Sequence, residues 1–215
     1  MALSKVNYDS LNVTAAASKA LKWNSTPDGF ETGTLGGSMV LLSTTTASDG
    51  DAAVSITSGI DDTYKVYCFK YYNLHPETNA MDLVFNGSID AGSNYNVTKT
   101  TTYFHSRHDE AATATQLTYL SGLDVAQGTG FQPMAKAVGN GNDESCSGEL
   151  YLFDPSDTTF IKNFMGRTAA LQGDDEAQDN YYAGYFNTTS AINAIQFKYE
   201  SGDLDAGVIK LYGIS

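Results

Sequence analysis

From Ser38 onward the apolar residues arrive in short runs that alternate with polar ones and stop at Gly, Asp, Asn or Ser. This period of two restricts the fold more than any other feature of the chain. Met81, Leu83 and Phe85 share one side of an extended segment, and Ile195, Phe197 and Tyr199 share one side of another, against Gln196, Lys198 and Glu200. Successive side chains of a strand point to opposite faces, so each segment predicts a half-buried strand with one wet face. The segments of this kind are 38–45, 53–57, 63–74, 81–86, 95–104, 149–154, 158–165, 181–187, 191–200 and 208–214. So many strands exceed a simple meander and fit two packed sheets. The run from Tyr64 to Tyr72 is apolar on both sides, with Val66 and Cys68 opposite Tyr67, Phe69 and Tyr71, which predicts a central strand covered on both faces.

The fold expected is therefore all-β, a two-sheet antiparallel sandwich with a jelly-roll-like order and an extended N-terminal arm. A chain of 215 residues can bury a real core as one such unit. The 14 Tyr and 10 Phe supply enough large apolar surface to offset ordering entropy. Residues 1–37 read differently from the rest: they hold the single Trp, lack sustained alternation and are broken by Pro27-Asp28-Gly29 and Gly36-Gly37. They are expected to form an arm, with residues 38–215 as the sandwich domain. Two echoing hexapeptides, Gly87-Ser88-Ile89-Asp90-Ala91-Gly92 and Gly202-Asp203-Leu204-Asp205-Ala206-Gly207, read as hairpin turns whose likeness comes from shared turn chemistry rather than duplication.

A net charge of -13 argues against wrapping nucleic acid, since phosphate binding is driven by Lys and Arg. No apolar stretch is long enough for a membrane helix, and Met1 to Ser10 has no apolar signal core. The expectation is synthesis in the cytoplasm with neither membrane nor nucleic acid as partner. Cys68 and Cys146 are the two cysteines; without a leader they are expected to be buried and unpaired. Asn-x-Ser/Thr triplets at Asn12, Asn24, Asn86, Asn96 and Asn187 need a secretory route that the sequence does not announce, and read as coincidence in a Thr-rich chain.

Chemistry-bearing patterns are sparse. There is no Gly-x-Ser-x-Gly elbow, and neither Cys has a His nearby in sequence. With 25 acidic residues a carboxylate pair for glycoside hydrolysis is available in number, but the acids fall mainly in turns. His105-Ser106-Arg107-His108-Asp109-Glu110 can offer two imidazoles to a metal if the segment turns helically; the irregular region 105–130 is read either as holding a short helix over 109–119 or as a long loop. It lacks a Cys partner and a third spaced His, which favours plain surface residues. Asn140, Asn142, Asp143 and Glu144, and the cluster Asp174, Asp175, Glu176 and Asp179, are oxygen-rich enough for calcium, yet neither matches a twelve-residue calcium loop, so solvated loop tips are expected. No catalytic residue, cofactor or metal ligand is assigned. Tyr181, Tyr182 and Tyr185, or Tyr71 and Tyr72, are candidate ligand-facing aromatics, with a glycan as the ligand they suit.

The stretch Tyr185-Phe186-Asn187-Thr188-Thr189-Ser190-Ala191-Ile192-Asn193-Ala194-Ile195-Gln196-Phe197-Lys198, continuing at Lys210-Leu211-Tyr212-Gly213-Ile214, resembles the C-terminus of structural proteins from aquatic tailed bacteriophages. Gly59-Ile60-Asp61, Tyr64-Lys65, Gly92-Ser93-Asn94-Tyr95-Asn96-Val97-Thr98 and Ala126-Gln127-Gly128-Thr129-Gly130-Phe131-Gln132 are similar to them too. The resemblance implies a non-enzymatic virion component of decoration, fibre or tail type. A capsid-decorating or head-attached surface protein is the leading expectation, and a tail-fibre, receptor- or carbohydrate-binding module the alternative. Other virion proteins and copies of the chain itself, with a trimer favoured, are the partners expected. In the arm, Lys5, Lys19, Lys22 and Trp23 are the candidates for attachment, because residues 1–27 carry three Lys against Asp9 in an otherwise acidic protein.

Overall fold

The computed structural model describes residues 20–23, 30–33 and 38–215. It divides into two compact units, Met1–Ser38 and Met39–Ser215. In the first, β1 (Ala20–Trp23) pairs antiparallel with β2 (Phe30–Gly33), setting Trp23 opposite Phe30. Their rings stack with centroids 4.3 Å apart. Within the expected arm these residues thus form a short hairpin, with an aromatic pair across its ladder. Lys5 and Lys19 lie outside the described residues, and of Lys22 only the main chain is described.

The second unit is all-β and antiparallel throughout. Its strands are β3 (Met39–Ala47), β4 (Val54–Ile56), β5 (Val66–Pro76), β6 (Met81–Ser88), β7 (Lys99–Asp109), β8 (Thr115–Tyr119), β9 (Gln132–Val138), β10 (Cys146–Phe153), β11 (Lys162–Gln172), β12 (Glu176–Phe186), β13 (Ala194–Tyr199) and β14 (Leu204–Ile214). A large sheet runs β3-β14-β5-β10-β11-β12-β7-β8, and a small one runs β9-β6-β13-β4. The register pair Gln172 with Val138 ties them along one side. The antiparallel all-β class expected from the sequence is present, as one hydrogen-bonded sheet that folds over into an eight-stranded and a four-stranded part.

The core forms where the two inner faces meet. Phe85 of β6 and Phe197 of β13, from the small sheet, press on Phe69 and Tyr71 of β5, Phe164 of β11, and Tyr182 and Phe186 of β12. All of these rings are essentially inaccessible to solvent. Centroid separations of 5.0–6.5 Å with mostly tilted or edge-on planes are the arrangement the ring quadrupole favours. β5 does lie in the middle of its sheet, between β14 and β10. Cys68 is buried on its outer side, while Tyr72 and Asn73 at its far end are exposed.

Several expectations need correction. Residues 105–109 continue β7, and Thr115–Tyr119 is β8 rather than a helix or a loop. Glu176 and Asp179 stand within β12, so only residues 173–175 form the acidic turn, where Asp175 takes a positive φ of 57°. The two echoing hexapeptides do not close hairpins. One leaves β6 and the other leaves β13, neighbours in the small sheet, and each delivers the chain to a strand of the large sheet, β7 or β14. Asp205-Ala206-Gly207 lies inside β14, where the register with β5 shifts and Gly207 has φ 130°. A Cβ there would sit 2.8 Å from the Leu74 main chain, so the bulge needs glycine. Asn86, one of the glycosylation triplets, is fully buried and donates through Nδ2 to the carbonyls of Tyr95 and Thr129.

Both cysteines are buried and free. Cys68 is in register with Tyr151, and Cys146 with Leu74, so six positions of β5 separate them, roughly 20 Å at the rise of a strand. A disulfide needs Cα atoms within about 7 Å. Burial pushes Cys68 up to about 11 and Cys146 up to about 12, which keeps both as thiols near neutrality. Thiol titration should find two groups after denaturation and almost no reaction before it. A rapidly reacting native thiol would contradict this burial.

Candidate functional site

Strand register turns scattered residues into a row across the outer face of the large sheet. Lys70 of β5 stands opposite Glu149 of β10, Glu149 opposite Arg167 of β11, Arg167 opposite Tyr181 of β12, Tyr181 opposite Phe104 of β7, and Phe104 opposite Tyr119 of β8. Directly opposed side chains on one face are in contact range, so the row is a continuous ladder.

Three of these rungs carry a specific contact, Lys70 with Glu149, Arg167 with Tyr181, and Tyr181 with Phe104. Phe104 and Tyr181 stack with centroids 4.9 Å apart and planes 5° from parallel. The Arg167 guanidinium covers the Tyr181 ring at 5.1 Å, a cation–π arrangement. Arg167 also grips Asp179 bidentately, with Nε donating to Oδ1 at 2.7 Å and Nη2 to Oδ2 at 2.6 Å. The hydroxyl of Tyr181 donates to Asp179 Oδ2 at 3.0 Å. The Arg167 hydrogen bonds hold the Asp179 carboxyl below its ordinary range, and that carboxylate in turn pushes the Tyr181 phenol up. Glu149 takes a hydrogen bond of 3.1 Å from the Tyr151 hydroxyl and an ion pair of 3.4 Å from Lys70.

Beside the ladder runs an apolar groove of about 350 Å³, lined chiefly by Thr102, Phe104, Tyr151, Met165, Tyr181 and Ala183. Small residues on β7 and β12 make its floor and the ladder makes its wall. Met165 is half exposed, as are Phe104 and Tyr119. Both acids of the ladder are engaged in cross-strand pairs. The arrangement sets flat rings and an adaptable thioether beside the pairs Lys70–Glu149 and Arg167–Asp179.

The period of two splits the tyrosines singled out in the sequence. Tyr181 and Tyr185 lie on the outer side of β12, the latter with its hydroxyl 3.4 Å from Gln127 Nε2. Tyr182 points inward, is 2% exposed and has its hydroxyl 3.2 Å from that of Tyr71 and 3.3 Å from the Glu149 carbonyl. Tyr182 and Tyr71 are therefore core residues, not ligand-facing ones. Tyr181 has Phe104 and Arg167 on its two ring faces, which leaves its edge for contact. Tyr72 is exposed, with Lys210 at 5.8 Å from its ring centroid.

The same parity undoes the histidine metal candidate. His105 and His108 are an odd number of residues apart on β7; His105 is buried inward and His108 is exposed. Asn140 donates to the Glu77 carbonyl at 2.8 Å, and Glu144 accepts from the Gly141 amide, so these polar groups are engaged within the loop and with the neighbouring β5–β6 turn. Of the second acidic cluster, Glu176 accepts two hydrogen bonds from Arg107 at 2.7 and 2.8 Å, and Asp179 is held by Arg167. Among the described residues no three His, Cys, Asp or Glu side chains are placed to hold a metal ion, and no helix is long and apolar enough to cross a membrane.

Sequence reasoning missed Phe104, Glu149, Met165 and Arg167. The only signal for them was the hairpin β11–β12, which puts Arg167 opposite Tyr181 once its turn is placed at 173–175. Comparison of the chain with protein-family models, with curated proteins and with solved structures gives no match.

Proposed function

We propose that this chain is a non-enzymatic structural protein of a bacteriophage virion, a capsid-decorating or head-attached subunit that presents its sandwich outward. The observation that carries the reading is the outer face of the large sheet. Lys70 is paired there with Glu149 and Arg167 with Asp179, and Phe104 and Tyr181 stack beside an apolar groove, as a surface for protein contact requires. The resemblance of the C-terminal segment to structural proteins of tailed phages supports the same class. An acidic exterior, from a chain with net charge -13, suits a particle surface that must not hold nucleic acid.

A second reading, a receptor- or glycan-binding module of a tail fibre, is favoured by the groove itself, since an aromatic wall next to paired polar groups can hold a sugar edge. Binding to an array of host surface glycans, lost in Met165→Glu, would favour it over decoration. Quantitative mass spectrometry of purified particles tests the main proposal. The chain should co-purify with the particles at a constant ratio to the major head protein; a chain found only in the lysate supernatant overturns it.

A further inference from the structure

β8 is the last strand of the large sheet and pairs with β7 alone. The hydrogen bonds Leu120 N–H to Tyr103 O at 3.0 Å and Asp109 N–H to Ala114 O at 3.2 Å fix which of its residues face β7. Antiparallel pairing alternates, so Thr115, Leu117 and Tyr119 direct their main-chain N–H and C=O groups away from the sheet. Open edges of this kind are normally guarded by a charge, a proline or a bulge. β8 reads Thr-Gln-Leu-Thr-Tyr and has none of these, and its register with β7 runs without a shift. Leu117 is 75% exposed and Tyr119 58%. Both stand on the outer face, where Tyr119 extends the ladder of Phe104 and Tyr181 to the edge.

We propose that β8 is a docking edge at which a second copy of this chain pairs about a two-fold axis, joining two large sheets into one. Three features select a second copy. The strand carries no charge, so it is a place where two chains of net charge -13 can approach without direct repulsion. Antiparallel to itself it is self-complementary, placing Leu117 against Leu117 of the other copy and Thr115 against Tyr119, with the free main-chain groups of all three bonded across the axis. The apolar ladder is continuous up to that edge, so pairing extends one patch instead of creating another. An isologous contact of this kind closes at two copies.

Sedimentation of the full chain over the micromolar range tests this. Wild type should be a monomer–dimer system. Leu117→Lys, at a position that makes no main-chain bond to β7, should keep the wild-type circular dichroism and weaken the dimer by about 100-fold or more. Leu117→Pro should do the same, since it removes only an outward-facing amide. Hydrogen exchange of the wild type needs no variant: the Leu117 and Tyr119 amides should become protected as concentration rises. A monomer at all concentrations, a trimer, a dimer that survives both variants, or exchange at Leu117 and Tyr119 independent of concentration would each overturn the proposal.

Discussion

Replacing Phe85 with Ala should destabilise the sandwich by about 3–5 kcal/mol, the range for deleting a buried aromatic ring. Phe85 is fully buried and is the one ring that touches Phe164, Tyr182, Phe186 and Phe197 at once, with centroids 5.1–6.5 Å away. Those neighbours belong to both sheets, and a β-sandwich backbone cannot collapse around the gap without moving whole strands. For a domain of this size the thermal midpoint should fall by roughly 10 °C, read by near-ultraviolet circular dichroism. A shift no larger than a surface substitution gives, under about 0.5 kcal/mol, would mean that the two sheets do not meet at Phe85.

The second large effect has the opposite sign. Lys99 is fully buried, its Nζ donates to the Gly130 carbonyl at 2.5 Å, and the Phe186 ring lies 5.8 Å away. Loss of solvation lowers its pKa to about 7, far beneath that of a lysine in the unfolded chain. Between those two values the unfolded state binds more protons, so stability gains from this group as pH rises from 7 towards 10. Below 7 both states are protonated and the whole cost of the buried charge is present. Lys99→Met should therefore be more stable than wild type at pH 6, by about 1–3 kcal/mol in view of how buried ions compare with apolar replacements. The difference should shrink steadily by pH 9. Denaturant midpoints of the two proteins across that range decide it; a variant less stable at pH 6, or a gap independent of pH, contradicts a buried, easily deprotonated Lys99.

Strands built on an apolar alternation were legible. β6 and β13 follow from Leu83, Phe85, Ile195, Phe197 and Tyr199, all buried as their spacing requires, but the wet face expected of β6 is absent, since Val84 and Asn86 are buried too. β5 was legible as a central strand from its apolar run, but its outer side, which carries Lys70 and the exposed Tyr72, is only partly covered. What stayed hidden was polar and inward. Thr168, Gln172, Gln178 and Asn180 fill the inner faces of β11 and β12, where Asn180 accepts from the Tyr103 hydroxyl at 2.6 Å and donates to the Thr168 carbonyl at 3.1 Å. Buried polar groups are stable when they satisfy one another, but in a sequence they read as loop. β9 escaped for another reason: Pro133 breaks the pattern, and proline is tolerated there because β9 meets β11 only at Val138, so that at Pro133 it pairs with β6 alone. The ladder on the outer face could not be read at all, since it depends on register between strands far apart in sequence. Tyr181 was found without Arg167 or Phe104, and Tyr182 was wrongly grouped with it because adjacency in sequence is opposition in a strand.

The proposal of a virion surface protein is tested most directly by cryo-electron microscopy of the native particle at a resolution that separates strands. The reading predicts density on the outside of the head into which the sandwich fits, with the eight-stranded sheet bearing Phe104, Tyr181 and Arg167 distinguishable from the four-stranded one. Particles whose head and tail densities are fully accounted for without this chain would contradict it.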